Sequence, residues 1–119
     1  MIGVAGSVSD RDRLLLAFAE LTRYGVTAEE SLAGTADEAR ERLLVGLWTR
    51  APRALGSYAF WLRTDECCFG PDGTLRGALP VHASDDAHEP LRFVLARAGF
   101  EVDVDGTDLR VEAPLARAA

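Results

Sequence analysis

The sequence predicts a single α+β domain in which an antiparallel sheet of four to five strands packs against two to three helices. Apolar residues recur at helical spacing in the first 50 of the 119 residues. From Ser57 onward the apolar residues alternate, which is typical of strands. Two later turn signals, each between alternating segments, predict consecutive hairpins and therefore a mainly antiparallel sheet.

The first helix is predicted over residues 10–24. Ser9 is a typical N-cap residue, and acidic residues follow it in the first turn, where the helix dipole favours them. An apolar stripe lies at Leu14, Phe18 and Leu21. Gly25 ends the helix because glycine readily adopts positive φ. Residues 26–33 favour a strand or extended link over a short helix.

Two further helices are predicted from their capping residues. Thr35 and Glu38 form a capping box at the start of the second helix, which ends before Pro52. The third helix begins at Ser84, Asp85 and Asp86 and ends at Gly99. Both helices carry apolar residues at helical spacing, so each has a face for the core.

The strands follow from alternation. Tyr58, Phe60 and Leu62 are predicted to face one side of a strand and Trp61 the other. Residues 67–69 would continue this strand or form a second one before the turn at residues 70–73. On the returning strand Pro80 predicts a sheet edge or a bulge, since proline lacks an N–H. A last hairpin is predicted at residues 100–111, turning at 105–108.

Composition excludes several function classes. The formal net charge is −6, and all 13 basic residues are scattered arginines, which disfavours binding to nucleic acids and anionic membranes. The absence of lysine, asparagine and glutamine predicts a GC-rich bacterial genome. The chain shows neither a leader nor a membrane-spanning run, so we expect a cytoplasmic protein. The ends, residues 1–8 and 114–119, are expected to be disordered.

The densest polar cluster contains both histidines of the chain. His82, Asp85, Asp86 and His88 are candidate metal ligands at a strand-to-helix junction, where imidazole and carboxylate groups suit divalent metals. A proton-transfer pair is a second interpretation. The favoured interpretation is helix capping, because the acids stand where caps and the helix dipole prefer them. No cofactor is expected.

Cys67 and Cys68 are predicted to be structural cysteines. The neighbouring acids Asp65 and Glu66 should raise the pKa of both thiols, which disfavours reactivity. If residues 70–73 form the turn, Cys68 lies near Leu75, roughly 23 Å along the strand from His82. The thiols and the histidines should therefore not share one site.

The aromatic segment supplies the candidate binding residues. Trp61, Tyr58, Trp48 and Asp65 could contribute to a ligand or partner surface. Since Tyr58 and Trp61 point to opposite faces, we do not expect both faces of this strand to be fully exposed to solvent. Trp61 either packs beneath another element or belongs to an exposed apolar patch. Asp65 could present an acid at a pocket mouth, or form local ion pairs at a solvated strand end.

The segment Ser57-Tyr-Ala-Phe-Trp-Leu-Arg-Thr-Asp65 resembles a bacterial, actinobacterial-type family of domains of unknown function. In that family a helix and a Gly-Val/Ile segment precede a Tyr-x-Phe-Tyr/Trp strand that ends in an acid, and a helix and a short strand pair follow. The similarity covers roughly residues 14–112, taking usual element lengths. Residues 62–64 depart from it, since relatives tend to have histidine and glutamine there. The resemblance implies a fold and no activity.

Two function classes follow. The leading hypothesis is a non-catalytic binding or protein-interaction module whose acidic surface suits a basic protein partner, as in an inhibitor or immunity-type protein. A small-molecule ligand, or a homodimer through a sheet edge or an exposed aromatic face, also fits. The alternative is a small metal-dependent or hydrolytic enzyme centred on His82, Asp85, Asp86 and His88.

Overall fold

The computed structural model describes residues 8–50 and 57–113, with the backbone alone for residues 47–50. The helices are α1 (Asp10–Glu20, extended by a 3-10 turn over Leu21–Tyr24), α2 (Ala36–Arg50) and α3 (His88–Arg97). The strands are β1 (Thr27–Leu32), β2 (Tyr58–Leu62), β3 (Leu79–Ala83), β4 (Glu101–Asp105) and β5 (Asp108–Glu112). The predicted α+β class is confirmed. The predicted disordered ends, apart from Val8, and the predicted helix end before Pro52 fall on residues outside those described.

The five strands form one sheet in the order β1-β2-β3-β5-β4. Three of the four neighbouring pairs are antiparallel, whereas β1 and β2 are parallel. The parallel pair arises because α2 carries the chain back between them, as parallel neighbours require a crossover. The strand favoured for residues 26–33 is confirmed as β1, while the parallel pair was not predicted.

Helices lie on both faces of the sheet. Side chains of α1 and α3 pack with alternate strand residues, including Trp61 and Leu109, in the main core. On the other face Ala39 and Leu43 of α2 pack on Phe60 and Leu62 of β2. The expected opposite orientation of Phe60 and Trp61 is therefore confirmed. The second face of an antiparallel sheet can be exposed to solvent, but here α2 covers part of it.

The predicted N-terminal caps of α1 and α2 are confirmed by side-chain hydrogen bonds. The Ser9 hydroxyl accepts a hydrogen bond of 3.1 Å from the backbone N–H of Asp12. At α2 the backbone N–H of Thr35 donates to the Glu38 carboxylate at 2.9 Å, and the Glu38 N–H donates to the Thr35 hydroxyl at 3.2 Å. This reciprocal pair is a capping box, so side chains satisfy two backbone donors at this end of the helix.

Two details of the central hairpin agree with the prediction only in part. Of residues 67–69, the first two lie in a 3-10 helix over Arg63–Cys68, and Phe69 forms an isolated antiparallel bridge with Leu75. Pro80 lies in the middle strand of the sheet, paired with Arg110 on one side, so the predicted edge is a local one on the other side. The pairing with β2 covers His82 and Ala83, so Pro80 lies beyond it and interrupts no ladder bond on that side.

Candidate interaction site

The four predicted metal ligands do not form a metal site in the structure. His82 lies on β3 with its Nδ1 3.1 Å from Oδ2 of Asp108, a contact that pairs charges when the ring is protonated but lacks hydrogen-bond alignment. His88 belongs to α3, and its Nε2 is 2.9 Å from the carbonyl oxygen of Thr107. Among the described residues, no three histidine, cysteine or acidic side chains are grouped to hold a metal ion.

The capping interpretation of the same cluster is confirmed for Asp85 and Asp86, which lie in the first turn of a 3-10 helix before α3, but not for the side chain of Ser84. The Ser84 hydroxyl makes no cap hydrogen bond to the helix that follows. It accepts instead from the backbone N–H of Tyr58 at 3.0 Å and donates to Asp86 at 2.7 Å. Ser84 therefore fastens the start of β2 to the end of β3, where the antiparallel ladder has no further strand residues to pair.

Trp61 cannot contribute to a surface, because its side chain is 0% exposed. Its ring meets Phe18 of α1 edge to face at a centroid distance of 4.8 Å. The second of the two expected arrangements, an exposed patch, is therefore wrong for this residue. Tyr58 is half-buried and its hydroxyl accepts a hydrogen bond of 2.9 Å from Nε of Arg40. The side chain of Trp48 is outside the described residues.

The two cysteines lie in the 3-10 helix after β2, away from both histidines. Cys67 is exposed and Cys68 is half-buried. Burial is the largest cause that raises the pKa of the Cys68 thiol, and the neighbouring Cys67 and Asp65 add to it. The direction agrees with the prediction for Cys68, which favours a neutral and unreactive thiol.

After β2, the acidic side chain that forms hydrogen bonds to distant parts of the chain is Glu66. Its carboxylate accepts two hydrogen bonds from the guanidinium of Arg11, at 3.0 and 3.1 Å, and one from the indole N–H of Trp61 at 2.9 Å. The side chain of Ser31, which has a φ of 55° where the β1–β2 register breaks, also favours the ionised carboxylate and lowers its pKa. Sequence reasoning considered only local ion pairs, whereas Arg11 is 55 residues away in sequence.

These contacts hold the pKa of Glu66 at about 2, below its ordinary value of 4.5. The hydrogen bonds from Arg11 are the largest cause, and those from Trp61 and Ser31 act in the same direction against the cost of burial. The same pairing raises the pKa of Arg11. A bidentate arginine–carboxylate pair favours the charged form of both partners.

This pKa gives a testable pH dependence. Because the folded pKa is lower than the unfolded one, the ionised carboxylate stabilises the fold above pH 4.5, and that stabilisation disappears as the pH falls toward 2. We expect its loss to cost about 1–2 kcal/mol, since the side chain keeps 26% of its surface in water. Urea unfolding of the wild type and Glu66→Gln at several pH values measures the difference. A difference that stays constant from pH 6 to 2 would contradict the prediction.

The half of the second sheet face that α2 leaves uncovered is acidic. Strand alternation places five carboxylates there, and each is exposed or half-buried: Glu101, Asp103, Asp105, Asp108 and Glu112. Among the described residues of this surface, which we call the acidic face, Arg110 is the cation. In β4 and β5 successive side chains point to opposite faces of the sheet, so the final hairpin carries most of its acidic side chains on one face.

An unpaired strand edge borders the acidic face. β4 is the last strand in the sheet order, and no described strand pairs with its outer side. A groove of about 580 Å³ lies between α3 and β4. This α3–β4 groove is lined by apolar and by polar side chains: Asp85, His88, Glu89, Arg92, Phe93, Ala96, Phe100 and Val102. Its aromatic side chain Phe93 is 51% exposed. The groove was not predicted, because it depends on how α3 and β4 are placed side by side.

Comparison of the chain with protein-family models, with curated protein sequences and with solved structures found no match. The resemblance of residues 57–65 to a bacterial domain family stays a prediction. Among the described helices, none has the length and apolar character that crossing a membrane requires.

Proposed function

We propose that this domain is a non-catalytic protein-interaction module that binds a basic partner at the β4 side of its sheet. The observation that carries the proposal is the acidic face, which adjoins an unpaired strand edge and a groove lined by both apolar and polar side chains. Charged side chains around a contact surface select the partner and accelerate its encounter, while apolar contacts supply affinity. The β4 side offers both kinds of contact.

The arrangement of the reactive side chains supports a binding role over catalysis. Within the described residues, His82 contacts Asp108 and His88 contacts a backbone carbonyl, and neither imidazole is paired with a thiol or hydroxyl nucleophile. Nucleophilic catalysis needs a base within hydrogen-bond reach of the nucleophile. The bidentate pair of Arg11 and Glu66 lies beside the buried Trp61, where it joins α1 to the chain after β2.

Charge reversal tests the proposal. Glu101 and Asp103 are exposed on the acidic face, and Asp12 and Glu41 are exposed elsewhere, so two double lysine variants change the net charge equally. A protein captured by the immobilised wild type is purified, and its affinity is measured by calorimetry. We expect Glu101→Lys/Asp103→Lys to weaken binding about tenfold or more, and Asp12→Lys/Glu41→Lys to leave it within about twofold.

Salt provides the second measurement. Because the attraction is between exposed charges, the wild-type affinity should fall as the salt concentration rises and Debye screening shortens its range. Equal affinities of the two double variants, or a partner whose binding is indifferent to both variants and to salt, would overturn the proposed function.

A further inference from the structure

The final hairpin determines which backbone groups β4 presents at its free edge. Gly106 has a φ of 69° and the loop has two residues, which is a type II′ turn. Such a hairpin closes on a hydrogen-bonded pair, here Asp105 and Asp108, and hydrogen-bonded and non-hydrogen-bonded pairs then alternate along the ladder. The N–H and C=O groups of Val102 and Val104 therefore point away from β5, toward the open side.

The side chains of β4 divide around this edge into two surfaces. Val102 and Val104 stand opposite Val111 and Leu109, which are buried in the main core, so they lie on the α3 side of the sheet. Val104 is 52% exposed. Glu101, Asp103 and Asp105 lie on the other side, in the acidic face. A strand added to β4 would have apolar surface on one side and carboxylates on the other.

We propose that the β4 edge binds an extended segment of a partner, added as a sixth strand, in which apolar and basic residues alternate. Its apolar side chains enter the α3–β4 groove between Phe93 and Val102, and its arginine or lysine side chains lie over Asp103 and its neighbours. The backbone of the segment bonds to the outward groups of Val102 and Val104. The inference rests on the proposed function and adds the binding mode and the chemistry of the partner segment.

A second copy of the chain is the less suitable occupant of this edge. Two β4 strands paired with each other would bring Glu101, Asp103 and Asp105 of both copies side by side, and like charges on neighbouring strands repel. At the opposite edge, β1 has a break in register between Glu29 and Leu32, which interrupts regular pairing. Acidic side chains on β4 thus discourage self-association and still permit a basic strand.

Synthetic peptides test the inference without a purified partner. Acetyl-Val-Arg-Val-Arg-Val-Arg-amide carries the proposed alternation, and acetyl-Val-Val-Val-Arg-Arg-Arg-amide has the same composition and charge without it. We expect the alternating peptide to bind the full chain about tenfold more tightly in calorimetry. Hydrogen exchange at the amides of Val102 and Val104 should slow when it binds. Equal affinities, no binding at millimolar concentration, or unchanged exchange at both amides would overturn the inference.

Two modifications locate the contact. N-methylation of alternate peptide amides should abolish binding for the set that faces β4 and spare the other set, while equal effects of the two sets would contradict strand addition. Ala96→Trp fills the groove from the exposed side of α3, and Ala19→Trp is the matched change on α1. We expect only Ala96→Trp to weaken binding of the alternating peptide, and equal effects of both would exclude the groove.

The two proposals fail separately. If partner affinity depends on Glu101 and Asp103 but the two peptides bind alike, the acidic face binds a folded surface and only the strand addition is wrong. The opposite outcome is that the two double variants bind the partner with equal affinity while the alternating peptide still binds at β4. In that case the strand addition is correct and the proposed basic partner is wrong.

Discussion

Replacing Trp61 by alanine is expected to lower the free energy of unfolding by about 3–5 kcal/mol, the usual cost of deleting a large buried aromatic side chain. The indole is 0% exposed and packs against Phe18 and Phe69. Its N–H also donates to Glu66, so the substitution leaves a cavity and removes a partner of a carboxylate. Urea unfolding followed by circular dichroism measures the change.

Two control variants separate packing from hydrogen bonding. Trp61→Phe keeps an aromatic ring in the core but lacks the N–H, and its cost should be about 1–2 kcal/mol. Phe93→Ala removes an aromatic ring that is half exposed beside the groove, and we expect a clearly smaller loss than for Trp61→Ala. Similar losses for Trp61→Ala and Phe93→Ala would show that Trp61 is not a core residue.

The position of Trp61 shows which structural properties the alternation of side chains along a strand predicts and which it does not. The period of two correctly placed Phe60 and Trp61 on opposite faces, since that orientation is a local property of the strand. Which element covers each face is a tertiary property. α2 crosses to the face of Phe60 because β1 and β2 are parallel neighbours, and no pattern within a single segment indicates that pairing.

The same distinction explains the candidate sites. His82 and His88 are close in sequence, but one belongs to a strand and the other to a helix after a 3-10 turn. Their imidazoles consequently contact different groups, Asp108 and the Thr107 carbonyl. The metal-site hypothesis depended on their proximity in sequence, and no three of the described histidine, cysteine and acidic side chains are grouped to hold a metal ion.

The contacts that sequence reasoning missed join distant segments. Arg11 and Glu66 each looked like a charge at the end of an element, and nothing near either residue indicates the other as its partner. The acidic face could have been found, because Glu101, Asp103 and Asp105 already alternate with valines in the predicted strand. The position of β4 at the sheet edge could not, since it requires the order of all five strands.

Substitution of Asp10 is the second change that we expect to lower the free energy of unfolding by a large amount. Sequence reasoning assigned it to the first turn of α1 as a dipole-favoured acid, but its side chain is 0% exposed. The carboxylate accepts a hydrogen bond of 2.8 Å from the backbone N–H of Leu75 and pairs with Arg13. The backbone N–H of Arg11 also donates to the Gly73 carbonyl at 3.0 Å. The start of α1 therefore holds the turn that precedes β3.

Asp10→Ala is expected to lower the free energy of unfolding by about 3–5 kcal/mol, because it leaves the Arg13 guanidinium without its carboxylate and the Leu75 N–H without its acceptor. Asp10→Asn keeps the size and one acceptor oxygen, so it should cost clearly less. Hydrogen exchange at the Leu75 amide should quicken more in the alanine variant than in the asparagine variant. A loss below about 1 kcal/mol for Asp10→Ala would mean that the turn holds its position without α1, because an unsatisfied buried donor alone costs at least that much.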